Sequence, residues 1–220
     1  MNSRLQISAG AGQNSTAGQA ILLAGLEDLQ LTVSTAQQDQ LMAFIKLIEK
    51  WNKAYNLTAI RNRVDMVGLH LLDSLAILPH LHGKRIIDIG TGAGLPGIPL
   101  AICLPGSEFV LLDSNAKKTR FVQQAVLELK LTNVSVCTSR VEQYQADSLF
   151  DTVLTRAFAG LPEIVAKTAH LSAKDGVLLA MKGQIPEAEL QQLSAAQSTI
   201  IPITVPGIAA ERCLVRIKLL

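Results

Sequence analysis

The chain has 220 residues, of which 49% are apolar and only 4% aromatic, and its net charge is +2. The scarcity of aromatic residues argues against a protein that grips single-stranded nucleic acid by stacking bases, whereas the small charge neither requires nor excludes a polyanionic partner. The cysteines and histidines follow no spacing typical of a disulfide framework or a metal site, so no metal is expected. Without a secretory signal or a run of about 18 apolar residues, the sequence predicts a cytoplasmic protein that does not enter a membrane.

The first part of the chain is predicted to be helical. Residues 1–19 are rich in Gly, Ala, Ser and Gln and offer little apolar surface to bury, so we expect a disordered tail there. A short helix is predicted over 20–31. Ser34 and Gln37 form a capping-box pattern that begins a second helix, ending near 52–56, and a third is expected over 64–80. Residues 20–83 are interpreted as a helical N-terminal cap that packs onto the following domain.

From residue 84 onward, apolar runs typical of strands alternate with helical patterns. Strands are predicted at 85–89, 108–113, 133–137, 150–155, 176–183, 199–205 and 212–219, and helices over 96–104, 115–130, 161–171 and 186–197. This alternation predicts right-handed βαβ units and a parallel sheet. The last two strands have no helix between them and are expected to form an antiparallel pair. The fold class is therefore α/β, with a seven-stranded, mostly parallel sheet over 84–220.

A glycine-rich turn, IIDIGTGAGLPGIP at 86–99, follows the first predicted strand. Gly92, Gly94 and Gly97 fit the dinucleotide pattern G-x-G-x-x-G. In a second frame, Gly90, Gly92 and Gly94 fit the looser G-x-G-x-G of S-adenosylmethionine enzymes. The glycines alone do not decide between the two cofactors.

Carboxylates at the strand ends favour one of the two. Asp88 lies two residues before Gly90, where it would oppose a pyrophosphate but attract the sulfonium and ammonium groups of S-adenosylmethionine. Its alternative role is to stabilise the loop. Asp113 ends the second strand and suits the ribose hydroxyls of either cofactor. Val141 and Glu142, after the third strand, are candidates for contacts with adenine. We therefore expect S-adenosylmethionine, with a nicotinamide-dependent oxidoreductase as the alternative.

The loop after the fourth strand limits which kinds of atom can be the methyl acceptor. It reads Thr155-Arg156-Ala157-Phe158, not the N/D-P-P-Y/F of amino-group DNA methylation, and no cysteine is placed for cytosine C5 chemistry. N7 of guanine carries a lone pair and no proton, so it needs positioning rather than a general base. Basic residues recur after successive strands and favour an RNA partner; they are Lys117, Lys118, Arg120, Arg140, Arg156 and Lys182.

Seven further motifs extend over about residues 34–219. They are WNKAYNLTAIR (51–61), HLLDSLA (70–76), IDIGTGAGLPGIPLAI (87–102), LLDSNAKKTRF (111–121), SRVE (139–142), TRAFA (155–159) and MKGQ (181–184). Together they resemble the glucose-inhibited division protein B family of bacterial 16S rRNA guanine-N7 methyltransferases. Two departures are Ala93, where many members carry Pro, and an N-terminal segment longer than the family's usual start.

The resemblance implies a class I, Rossmann-like methyltransferase with a helical N-terminal extension and S-adenosylmethionine as cofactor. Its implied target is a guanine in the decoding-region loop of 16S rRNA (position 527 in the usual rRNA numbering), within the small ribosomal subunit or its precursor, and we expect a monomer. Residues expected to act in catalysis or line the substrate side are Asn56, His70, Lys117, Arg140 and Arg156. Residues expected to bind the cofactor are Asp88, Gly90, Gly92, Gly94, Leu95, Asp113, Val141, Glu142 and Arg156. A ribosome-assembly factor that keeps the fold without catalysis remains an alternative.

Overall fold

A computed structural model describes residues 6–193 and 198–218, with side chains from residue 16 onward. Its helices are α1 (Gln6–Asp28), α2 (Thr35–Tyr55), α3 (Arg63–Met66), α4 (Asp73–Leu75), α5 (Gly97–Cys103), α6 (Ala116–Glu128), α7 (Leu161–Thr168) and α8 (Glu187–Leu190). Its strands are β1 (Arg85–Ile89), β2 (Glu108–Asp113), β3 (Val134–Thr138), β4 (Phe150–Arg156), β5 (Ser172–Lys182), β6 (Ser198–Pro202) and β7 (Cys213–Lys218). A π-helical segment, Val67–Leu72, joins α3 to α4.

The seven strands form one sheet in the order β3-β2-β1-β4-β5-β7-β6. Strands β1 to β5 are parallel, and β7 runs antiparallel to both β5 and β6. The predicted mostly parallel sheet and its antiparallel terminal pair are therefore confirmed. The strand order reverses between β1 and β4, which opens a crevice at the carboxyl edge of the sheet, where ligands of such folds bind.

Helices cover both faces of the sheet because its strands alternate buried side chains between two cores. On one face, Phe44 and Ile48 of α2 belong to the same buried cluster as Leu111 of β2 and Phe121 of α6. The Phe44 and Phe121 rings lie 6.4 Å apart between centroids. Ile164 of α7 packs with strand residues of the opposite face. The apolar stripe of α2 thus packs onto the α/β part of the chain, as the sequence predicts.

Helix α1 begins well before the predicted residue 20 and extends into the segment predicted as a disordered tail, of which residues 1–5 lie outside the described part. The reason lies in its small residues. Gly18 is buried, and a Cβ on Gly25 would overlap the side chain of Leu72 in the π-helical segment. Small residues let the backbone of α1 lie directly against neighbouring side chains, so their presence did not mean that the segment has nothing to bury.

Two other predicted helices differ in the structure. The helix expected over 64–80 is divided into α3, the π-helical segment, α4 and a 3₁₀ turn at Leu78–His80. Such π-helical turns are common at functional sites, and this one carries the buried His70. The helix expected over 186–197 is the short α8 in the described part; residues 194–197 lie outside it.

Gly25→Ala tests the close packing of α1. The variant should lower the free energy of unfolding by about 1–3 kcal/mol because the new methyl group overlaps Leu72, which is only 1% exposed and cannot move aside. Urea unfolding measures the change. Gly106→Ala is the control, since its added Cβ meets nothing within 4 Å, and it should change stability by less than about 0.5 kcal/mol. Equal stabilities of the two variants would contradict the packing role.

Candidate active site

Two cavities adjoin at the carboxyl edge of the sheet. The glycine-loop cavity, about 270 Å³, is lined by residues that follow β1, β2 and β3, including Gly90, Asp113 and Val141. The arginine cavity, about 500 Å³, is lined by residues after β4 and β5 and by the π-helical segment, including Arg156 and Arg212. Ala157 lines both cavities, so a ligand in one can reach a ligand in the other at this residue.

The backbone at this junction adopts conformations that L-residues seldom occupy. Ala157 has a φ of +51°, in the left-handed region, and strained residues of this kind cluster at functional sites. Gly90 has a φ of +68°, and a Cβ added there would lie 2.7 Å from the ring of Phe158. Only glycine therefore fits at residue 90, which lets the backbone after β1 come close to a ligand.

Asp113 holds the glycine loop against β2. Its Oδ2 accepts a hydrogen bond from the backbone N–H of Gly92 at 2.9 Å, and its Oδ1 accepts one from Asn115 at 2.8 Å. The carboxylate ends β2 and lines the glycine-loop cavity. A carboxylate fixed at this strand end is placed to accept hydrogen bonds from ribose hydroxyls, and cofactor binding by Asp113 stays a prediction.

Asp88 lies beneath the loop rather than in a cavity wall. It is fully buried, and its Oδ2 accepts hydrogen bonds from Thr91 Oγ1 at 2.6 Å and from the Gly97 N–H at 2.9 Å. Its Oδ1 has no hydrogen-bond partner among the described residues. Burial raises the pKa of Asp88 to about 6. The expectation of direct ligand contact is corrected: Asp88 lines neither cavity, and its contacts are those of the alternative, loop-stabilising role.

The rest of the glycine turn shapes the loop instead of lining a cavity. Gly94 and Leu95 are buried, whereas Gly92 is half-buried. A Cβ on Gly97 would lie 2.9 Å from Asp88 Oδ2, so Gly97 is a close-packing position in α5. Three residues predicted to bind the cofactor therefore act through the conformation of the turn. They are Gly92, Gly94 and Leu95.

The third strand end supplies the far wall of the glycine-loop cavity. Val141 is 4% exposed and presents an apolar surface, and the neighbouring Glu142 and Arg140 also line the cavity. The Glu142 carboxylate lies 2.9 Å from Lys167 Nζ, and this hydrogen-bonded lysine holds the pKa of Glu142 below its usual value. Lys117, expected on the substrate side, is exposed and lines neither cavity.

The arginine cavity is organised around a carboxylate that the sequence reasoning missed. Asp73 is 5% exposed and lies between two arginines. Arg156 Nη1 is 3.2 Å from Asp73 Oδ2, and Arg212 Nε is 2.9 Å from Oδ1. Arg156 ends β4 and Arg212 precedes β7, so Asp73 joins three distant segments. The sequence signal that could have indicated Asp73 is its position as a single acid within the apolar run LHLLDSLAIL. Arg156, predicted to touch the cofactor, lines only this cavity.

His70 also lines the arginine cavity, as part of a buried hydrogen-bond chain. Its Nε2 is 3.1 Å from Thr58 Oγ1, and the Thr58 N–H donates to Asn52 Oδ1 at 2.9 Å. Burial and, as the second cause, the nearby Arg156 charge lower the pKa of His70 to about 4. The imidazole is therefore neutral at pH 7. Asn56, expected beside His70, is instead an exposed C-cap of α2 that lines neither cavity.

Lys182, at the end of β5, completes the cationic wall of the arginine cavity. Its Nζ donates to the Ala159 carbonyl at 3.1 Å and to Glu189 Oε2 at 2.9 Å. Within residues 6–193 and 198–218, no cluster of metal-ligating side chains is found. In those same residues, no helix has the length and apolar character needed to cross a bilayer.

The doubly wound sheet, the glycine turn after β1 and the acid at the end of β2 define the fold of class I methyltransferases, which use S-adenosylmethionine. Human methyltransferase 10 domain containing protein has a TM-score of 0.57 at 16% identity, covering 86% of this chain and 100% of that one. The ribosomal protein L11 methylase of Lactobacillus delbrueckii subsp. bulgaricus has a TM-score of 0.54 at 14% identity, covering 67% and 76%.

Sequence comparison identifies the family. A family model described as GidB, rRNA small subunit methyltransferase G, matches residues 37–214. The ribosomal RNA small subunit methyltransferase G of Nitrosococcus oceani is 52% identical over 203 residues, which are 91% of this chain and 95% of that protein. The protein of the same name from Idiomarina loihiensis is 50% identical over 195 residues, 88% and 95% of the two chains. The chain therefore belongs to the GidB family, and the resemblance inferred from its motifs is confirmed.

The raised pKa of Asp88 predicts how stability depends on pH. A carboxyl whose pKa is about 6 when folded, against 3.8 when unfolded, binds its proton more tightly in the folded state. Its stabilising contribution is therefore fully present below pH 3.8 and is lost as the pH rises through 6. His70, whose pKa falls to about 4, has the opposite slope: its contribution is present above pH 6.5 and is lost as the pH falls through 4.

Asp88→Asn removes one of these opposing slopes and keeps the size of the side chain. Between pH 6 and pH 4.5, the variant should lose stability relative to the wild type by roughly 1 kcal/mol per pH unit. Urea unfolding at several pH values measures this difference, in which all other carboxylates cancel. Parallel pH profiles for the two proteins would show that Asp88 titrates normally.

Proposed function

We propose that this chain transfers a methyl group from S-adenosylmethionine to N7 of a guanine in 16S rRNA, with the RNA in the small ribosomal subunit or its precursor. One observation carries the proposal. Two cavities of different character meet at Ala157, one suited to the cofactor and the other large enough for a nucleobase. The names of the relatives, rRNA small subunit methyltransferase G, support RNA as the acceptor.

The glycine-loop cavity fits the nucleoside part of S-adenosylmethionine. Gly90 lines this cavity with its backbone alone, because the space of a Cβ is already filled by the ring of Phe158. Asp113 offers its carboxylate to the ribose, and Val141 and Glu142 offer an apolar surface and an acceptor to the adenine. When bound, the cofactor supplies a methyl carbon made electrophilic by the adjacent sulfonium. The chain's own residues have to hold it and exclude water from the junction at Ala157.

The arginine cavity suits a guanine turned out of its RNA strand. Its apolar walls include Ile60, Leu69 and Met181, and a volume of about 500 Å³ lies within the usual range for small-ligand sites. Enzymes that modify a base commonly bind it outside its stack in such a pocket. Since N7 has no proton to lose, these walls contribute by positioning the base and removing its water.

The charges around the arginine cavity are arranged for a product that becomes cationic. Methylation at N7 adds a positive charge to the guanine, which unpaired cations nearby would oppose. Here Arg156 and Arg212 share the carboxylate of Asp73, and Lys182 is paired with Glu189. His70 is neutral because burial lowers its pKa to about 4. One carboxylate cannot neutralise two guanidinium groups, so Asp73, Arg156 and Arg212 keep one net positive charge. The ion pairs reduce the charge that faces N7, while the cavity can still donate hydrogen bonds to a guanine.

We further propose that the enzyme acts in the cytoplasm as a monomer. Its proposed substrate is found in that compartment.

The function is tested with small ribosomal subunits from cells that lack this gene. Purified protein and S-adenosylmethionine carrying a labelled methyl group should label the 16S rRNA. Chemical cleavage at N7-methylguanine, followed by primer extension, should then show one new stop. Binding of the cofactor without any transfer would support a non-catalytic assembly factor, and label at another atom would contradict the proposed acceptor.

Two variants should separate the roles of the cavities. Glu142→Gln, which changes only the glycine-loop cavity, should weaken binding of S-adenosylmethionine about tenfold by replacing a charged acceptor, with little change in KM for RNA. Arg212→Gln, which changes the arginine cavity and leaves the lining of the glycine-loop cavity intact, should impair methylation and leave cofactor affinity within about twofold of wild type, since the loss of one hydrogen bond falls on the RNA side. Calorimetry measures cofactor affinity and steady-state kinetics measure the rest. Loss of cofactor affinity in the arginine variant would contradict the division.

A further inference from the structure

Helix α2 exposes a row of lysines on the side away from the core. Phe44, Ile45 and Ile48 are fully buried, whereas Lys46, Lys50 and Lys53 are exposed. The three lysines recur at intervals of four and three residues, so they lie along one face of the helix. Their row spans two helical turns, about 10 Å.

The lysines line a surface depression of about 410 Å³ together with Glu49 and Arg63. Four cations and one carboxylate give this surface three net positive charges, more than the +2 of the entire chain. The single carboxylate is already engaged, since Arg63 Nε donates to Glu49 Oε2 at 3.0 Å. None of the three lysines has a hydrogen bond or ion pair with the described residues. We call this set of five residues the α2 basic surface.

This arrangement does not serve the stability of the helix. Like charges four residues apart, as at Lys46 and Lys50, destabilise a helix by roughly 0.2–0.5 kcal/mol, and the one carboxylate of this surface, Glu49, is engaged by Arg63. Unpaired lysines that share one concave surface are instead suited to an anionic polymer, because binding releases the counterions of each phosphate they neutralise.

The α2 basic surface lies beside the arginine cavity along the chain. Lys53 is three residues before the C-cap of α2, and the loop that follows brings Ile60 into the cavity wall. Arg63 begins α3, which continues into the π-helical segment. Seven residues of helix separate Arg63 from His70, a rise of about 10 Å. RNA bound in the arginine cavity therefore has phosphates within reach of this surface.

We propose that the α2 basic surface binds the phosphodiester backbone of the RNA that carries the target guanine. This inference rests on the proposed function and adds a second contact region, built by the N-terminal helices, to the cavity that holds the base. The lysines act on RNA affinity and not on the transfer step, because they lie in neither the glycine-loop cavity nor the arginine cavity.

The test is the triple variant Lys46→Gln, Lys50→Gln, Lys53→Gln in the full chain. Filter binding to protein-free 16S rRNA, without cofactor, should show about a tenfold loss of affinity at 0.15 M salt, with the slope of log affinity against log salt shallower by about 2. With small subunits as substrate, KM should rise by a similar factor, and kcat and the affinity for S-adenosylmethionine should not change.

A matched control removes three lysines from the amino edge of the sheet, which is opposite the carboxyl edge that carries the two cavities. Lys84 precedes β1, Lys174 lies in the first half of β5, and Lys218 pairs with Val177 in the amino-terminal part of β5. All three are exposed. Their replacement by Gln makes the same change in net charge and should leave RNA affinity and its salt slope close to wild type.

Other outcomes overturn the inference and are distinguishable from failure of the proposed function. If the α2 triple variant and the control triple variant lose equal affinity, only net charge matters. If the α2 variant loses affinity for small subunits but not for protein-free 16S rRNA, the surface contacts a ribosomal protein instead. Wild-type protein that methylates normally in either case leaves the proposed function intact, whereas wild-type protein that neither methylates nor binds the RNA refutes both.

Discussion

The carboxylate of Asp88 is the constraint on which the carboxyl edge of the sheet depends. A fully buried carboxylate is costly unless hydrogen bonds satisfy it, and Asp88 receives them from Thr91 and from the first residue of α5, Gly97. The chain after β1 must therefore fold back over this oxygen. Asp113 holds the same turn from the side through Gly92. Together the two acids fix the backbone that approaches the cofactor.

A similar device organises the neighbouring cavity. Asp73 receives Arg156 and Arg212 on its two different oxygens, so α4, the end of β4 and the residue before β7 meet at one carboxylate. Removing one partner of a buried ion pair strongly lowers stability, because the remaining charge is left uncompensated. The arrangement therefore favours one geometry of the cavity more than it adds to stability. It also reduces the two arginine charges to one net positive charge where a cationic base is to be formed.

The sheet was predictable from the sequence because its strands are short apolar runs separated by clear helical patterns. The strand-end residues that line the glycine-loop cavity were predictable for the same reason, since parallel strands deliver their carboxyl ends to one edge. Asp88 shows the limit of this reasoning. Its position was evident, but whether its oxygens faced the ligand or the loop depended on the direction of the Gly97 N–H, which no residue pattern encodes.

The N-terminal helices were harder to predict for two physical reasons. The length of α1 depends on what its small residues pack against. Gly25 packs against Leu72, which is many residues away in the sequence, so a local pattern does not reveal this contact. The π-helical segment changes the helical period within an apolar run, so the inward placement of His70 and Asp73 could not be derived from a 3.6-residue repeat. Asp73 was therefore not predicted as a site residue, although it lies within the motif HLLDSLA (70–76).

These helices belong to the active site and are not an independent lid. Asn52, buried on α2, holds the loop at Thr58 through hydrogen bonds in both directions, and Thr58 in turn meets His70 in the arginine cavity. A displacement of α2 would have to break this chain, which is costly because its two ends, Asn52 and His70, are buried away from water. RNA bound to the outer face of α2 is therefore held at a fixed distance from the cavity. Helix α2 can thus bind the RNA backbone on its outer face and, on its other side, hold the wall of the base-binding cavity in place.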